Sequence, residues 1–126
     1  MKSFATVMLL VGVMTFTSCG GDEPTPDNPL KGTWTLDYSV PYAPDKDVFQ
    51  STIKFSKDMT YEWKAASYGR SDTDKGTYEV DLDYFDYSDV FKGHVLFKSS
   101  TYGDWVSYFE IVGKHLQLEG HWYIRK

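Results

Sequence analysis

The chain has 126 residues, 17% of them aromatic, and a formal net charge of −5. That length suits one domain, and with Arg70 and Arg125 as its only arginines and no basic stretch it excludes a nucleic-acid binder. A single cysteine, Cys19, excludes the intramolecular disulfides that commonly hold small exported domains together.

Lys2 precedes an almost unbroken apolar run, Phe4–Phe16. The run is shorter than the ~20 residues that a spanning helix needs. It fits the apolar core of a secretory signal, so residues 1–18 are read as a signal peptide. A lone cysteine after such a segment points to modification rather than pairing. The stretch Phe16-Thr17-Ser18-Cys19-Gly20 resembles a bacterial lipobox, with Phe16 where Leu is commoner. The resemblance implies that Cys19 is lipidated and becomes the N-terminus of the mature protein. Each buried CH₂ of an acyl chain contributes ~0.8 kcal/mol, so two or more chains give a stable anchor.

Residues 19–29 continue as Gly20-Gly21-Asp22-Glu23-Pro24-Thr25-Pro26-Asp27-Asn28-Pro29. Low hydrophobicity and the absence of a period predict a disordered linker. Its prolines favour extension at ~3.1 Å per residue, giving a reach of roughly 30 Å. Acidic residues directly after the cysteine resemble the export signals of some Gram-negative surface lipoproteins. The expected location is the outer membrane, on its periplasmic or cell-surface side.

From Gly32 the hydrophobic period is two. Trp34, Leu36, Tyr38 and Val40 share one face; Phe49, Ser51, Ile53 and Phe55 share the next. Met59, Tyr61, Trp63 and Ala65 follow, then Tyr78, Val80 and Leu82. The stretch Asp89–Lys98 is less clear, because Val95-Leu96-Phe97 is continuous. Trp105, Phe109 and Ile111 come next, with Glu110 on the other face. Gly113-Lys114 reads as a two-residue loop that keeps Ile111 and Leu116 on one face. Glu119-Gly120-His121 reads as a three-residue loop that puts Leu118 opposite Trp122, with Ile124 also inside. Simple alternation then aims Arg125 outward. No helix is expected in the mature chain.

About eight short strands at ten-residue spacing predict an all-β fold, a small antiparallel up-and-down β-barrel over residues 30–126. Closure removes exposed edges; a β-sandwich is the alternative. An eight-stranded barrel has an interior that side chains fill or that holds one small ligand.

Gly32-Thr33-Trp34 opens the first strand, Phe55 through Tyr61 form a hairpin, Gly76-Thr77-Tyr78 start a strand, and Leu116 through Arg125 form a terminal hairpin. In that order they resemble the short lipocalin-like domains of Gram-negative lipoproteins. Met59 stands where that pattern prefers Gly. The resemblance implies structural roles for Gly32, Trp34 and Arg125, the last packing across Trp34. It also implies a ligand site at the barrel's open mouth.

Strand parity places the loops Pro41–Asp47, Ser67–Asp74, Ser99–Asp104 and Glu119–His121 at one end. The first three carry Tyr42, Tyr68 and Tyr102, and Arg70 belongs to the same end. Tyrosine combines an apolar ring with a polar tip, which suits a binding mouth. These residues and the interior Trp63 are the candidate ligand-binding set. The expected ligand is a small apolar or amphipathic molecule. The alternative is a filled barrel whose loops meet an envelope protein.

Asp81, Asp83, Asp86 and Asp89 lack the spacing of a calcium loop and read as a solvated connection. His94, His115 and His121 lack metal-ligand spacing. No metal, no cofactor and no catalytic residue is expected, since no nucleophile or phosphate-loop motif is present.

Overall fold

The computed structural model describes residues 23–86 and 90–126. The signal segment 1–18 and Cys19 lie outside the described residues. The fold is all-β. Its strands are β1 (Gly32–Leu36), β2 (Phe49–Phe55), β3 (Thr60–Ser67), β4 (Arg70–Asp86), β5 (Val90–Ser99), β6 (Gly103–Val112), β7 (His115–Leu118) and β8 (His121–Arg125). Each pairs antiparallel with the next, and β8 pairs back onto β1 to close a barrel. The closed barrel, and not the sandwich, is the architecture.

Alternation explains the interior. Trp34, Ile53, Phe55, Tyr61, Tyr78, Val95, Phe97, Phe109, Ile111, Leu116 and Leu118 are all buried. The rings interlock: Tyr61 meets Phe97 edge-on at 4.9 Å between centroids, and Trp105 stacks on Phe97 at 4.8 Å. Such pairs add about 0.5–1.5 kcal/mol beyond burial. The continuous stretch resolves by the same rule, with Val95 and Phe97 inside and Leu96 turned outward. Gly76 is required by close approach, because a Cβ there would collide with the carbonyl of Lys98 on β5.

The terminal hairpin differs from the sequence reading. Leu118 pairs with His121, so the loop is the two-residue Glu119-Gly120. Both have positive φ, 51° and 80°, as a type I′ turn requires. That turn matches the twist of the flanking strands. One residue fewer in the loop flips the strand. Tyr123 is therefore inside and buried, Trp122 is half-buried, and Ile124 faces solvent. Arg125 shares Tyr123's parity and turns inward over Trp34, with Cζ 4.1 Å from the ring centroid.

Two more expectations shift. Residues 70–74 are strand, not loop: the turn is Tyr68-Gly69, with φ of 51° and 79°. Met59 is a turn residue with φ 66° and is 36% exposed, and it stands outside the strand that carries Tyr61. Asp58 supports that turn by accepting from the Thr60 amide and hydroxyl.

Residues just before β1 seal one end. Leu30 is fully buried, and Asn28 and Pro29 are buried with it, so the folded unit reaches back into the segment read as linker. The Trp34 indole donates to the Leu30 carbonyl at 2.8 Å. The Asn28 amide donates to the Tyr78 hydroxyl at 2.9 Å. The Arg125 guanidinium donates to the carbonyls of Lys31 (2.7 Å) and Pro29 (3.1 Å).

Candidate ligand-binding site

The opposite end is built from residues 37–48, the turn Tyr68-Gly69, residues 100–102 and the turn Glu119-Gly120. Tyr42 and Tyr68 are almost bare, at 97% and 82% exposure, and Tyr102 is 60% exposed. Between Tyr68, Arg70, Ala65 and Asp72 lies an open depression of about 710 Å³. A smaller hollow of about 160 Å³ is lined by Trp63, Ala65, Asp72 and Asp74. The two share Ala65 and Asp72, so they adjoin. Tyr102 joins them by donating to Asp72 Oδ2 at 2.8 Å. Tyr42 stands apart, in a crevice of about 90 Å³ with Trp122, His121 and Pro44. Of the candidate residues, Trp63, Tyr68, Arg70 and Tyr102 thus come together around one opening, and Tyr42 does not.

The hollow's floor is aromatic and hydrogen-bonded. Trp63 donates from its indole to Ser51 Oγ at 2.8 Å, and Ser51 also bonds the Tyr123 hydroxyl at 3.0 Å. Trp63 lies 5.6 Å from Phe97 between centroids.

Sequence reasoning missed the carboxylates. Asp74 accepts from Tyr61 at 2.7 Å and from the Ser99 hydroxyl, and Glu119 accepts from Ser107 at 2.7 Å. The signal was present: counting back by twos from Tyr78 through Gly76 places Asp74 and Asp72 on the inner face. Their polarity hid it, because inward aspartates break the apolar alternation. Burial first, and then the hydrogen bond to Asp74, hold the Tyr61 phenol well above the usual tyrosine range. The hydrogen bond to Asp72, with that carboxylate's charge, raises Tyr102 as well.

Among the described residues, no group of three or more His, Cys, Asp or Glu side chains is arranged to hold a metal, and no helix is long and apolar enough to cross a membrane. Comparison with protein-family models, curated proteins and solved structures finds no match.

Proposed function

We propose that the protein is a lipid-anchored lipoprotein of the outer membrane whose barrel takes a small amphipathic ligand at its open end. The observation that carries the ligand reading is the contrast between the two ends. Leu30, Trp34 and Arg125 fill and latch one. The other leaves the partly buried indole of Trp63 beside a hollow and a wider depression. Ligand sites are concave, largely apolar and furnished with a few fixed polar groups. Trp63, Ala65 and the hydrogen-bonded Asp72 and Asp74 meet that description. No catalytic group is assigned.

Native mass spectrometry of the protein purified from its own envelope tests this reading. A bound small molecule lost on Trp63→Ala supports it; a bare protein that binds no amphiphile in titration removes it. The anchor is tested by metabolic labelling with a fatty-acid analogue. Label on the wild type and none on Cys19→Ala is the expected result.

One observation favours a second reading, a protein-binding rim. Tyr68 and Tyr102 leave most of their rings bare at the same end, and exposed aromatic side chains are enriched at protein interfaces. Crosslinked envelope partners lost on Tyr68→Ala and Tyr102→Ala, with ligand binding intact, would favour the rim over the hollow.

A further inference from the structure

On the outer face some acids pair with bases: Lys75 with Glu62 at 3.4 Å, and Lys98 with Glu79 at 2.9 Å. At the open end three carboxylates have no such partner. Asp72, Asp74 and Glu119 accept from the hydroxyls of Tyr102, Tyr61, Ser99 and Ser107, which carry no charge. Among the described residues, no Lys, Arg or His pairs with any of the three. Arg70 lines the outer depression beside Asp72, yet it is exposed and makes no ion pair with it.

Hydroxyl donors fix a carboxylate's direction without neutralising it. Asp74 is half-buried, and a carboxylate partly withdrawn from water keeps a strong attraction for a cation, because screening there is weaker than in bulk; Asp72 is exposed and adds its charge at the rim. The third wall is the indole of Trp63, and Trp is the best aromatic partner for a cation. An indole cannot ligate a metal, and among the described residues no third carboxylate, imidazole or thiolate joins Asp72 and Asp74 in a metal-holding group, so the chemistry is that of an organic cation. A fatty acid or phosphate head would meet repulsion from Asp72 and Asp74.

We infer that the open-end hollow is selective for amphiphiles that carry an ammonium group on an apolar body, with Trp63, Asp72 and Asp74 receiving the ammonium. This rests on the reading that the open end binds a ligand at all.

The test uses three probes with one tail: dodecyltrimethylammonium, a neutral dodecyl polyoxyethylene ether and dodecyl sulfate. Each is titrated below its micelle concentration into the purified full chain, with binding followed by tryptophan fluorescence and native mass spectrometry. The cationic probe is expected to bind about tenfold tighter than the neutral one, with the sulfate weakest. Added salt should narrow that ratio. Asp72→Asn should weaken the cationic probe more than the neutral one and so narrow the ratio severalfold. Trp63→Phe, which keeps an apolar ring and weakens the cation–π contact, should reduce the ratio severalfold, and it decides the matter where Asp72→Asn does not fold. Equal binding of the cationic and neutral probes, or tightest binding of the sulfate, overturns the cation selectivity and leaves the ligand reading standing. Binding of none of the three overturns both.

Discussion

Arg125 shows how several weak terms combine at one residue. Its guanidinium lies over Trp34 and donates to two main-chain carbonyls, tying β8, β1 and the segment before β1 together. Charged hydrogen bonds contribute ~1.5–3 kcal/mol each and a cation–π contact ~0.5–2. These terms overlap, so Arg125→Met should cost about 2–4 kcal/mol in chemical denaturation. A loss under 0.5 kcal/mol would reduce the contact to a surface ornament. Asp37 makes a prediction about pH. It is buried and accepts from the Ser39 hydroxyl and amide, with His115 3.5 Å away. The Ser39 hydrogen bonds hold its carboxyl below the usual range. Its stabilising contribution is therefore present above the unfolded value near 4 and is lost as pH falls through the lower native value. Asp37→Asn should accordingly flatten the decline of Tm below about pH 4, while lowering Tm at neutral pH.

At the scale of elements, turn chemistry decides what alternation cannot. The strands were legible because each has a wet face and a dry face, and period two reports that directly. The β7–β8 register was not, because Glu119-Gly120 lacks the Asn-Gly signature of a type I′ turn. Glu119 accepts a left-handed backbone to make the tighter loop, and that choice seats Tyr123 and Arg125. A glycine inserted after Gly120 should test this. It would relax the turn but drive Tyr123 outward and leave Ser51 without its phenol partner. The expected cost is about 3–5 kcal/mol, the order of losing a buried aromatic side chain. An insertion that is tolerated would mean that Trp122 can replace Tyr123 inside. The site was half legible for a related reason. Tyr68, Arg70 and Tyr102 follow from loop placement, whereas Asp72 and Asp74 became visible only when β4 proved to begin at Arg70.

For the whole molecule, the sealed end fixes an orientation. The segment before β1 enters at the latch of Arg125 and Trp34, opposite the hollow. Thr25 already exchanges backbone hydrogen bonds with Asn28, so little chain is left to span the gap to Cys19. Five residues lie between Cys19 and Thr25, six steps of chain, which limits the reach to about 20 Å, less than the roughly 30 Å of a fully extended linker. With Cys19 acylated as proposed, the open end points away from the bilayer. A fluorophore on Lys114→Cys should be quenched by spin-labelled lipid headgroups more strongly than one on Tyr102→Cys. Equal quenching would mean that the barrel lies on its side.

The latch also joins positions far apart in the chain: Arg125 reaches Lys31 across 94 residues. No partial chain that lacks β8 can close the barrel, and β1 must wait unpaired on one side until the final hairpin arrives. A polypeptide threaded through an export channel emerges from one end and is kept unfolded on the other. For a chain exported as proposed, the order of emergence would set the order of assembly, with the last strand acting as the key that completes the ring.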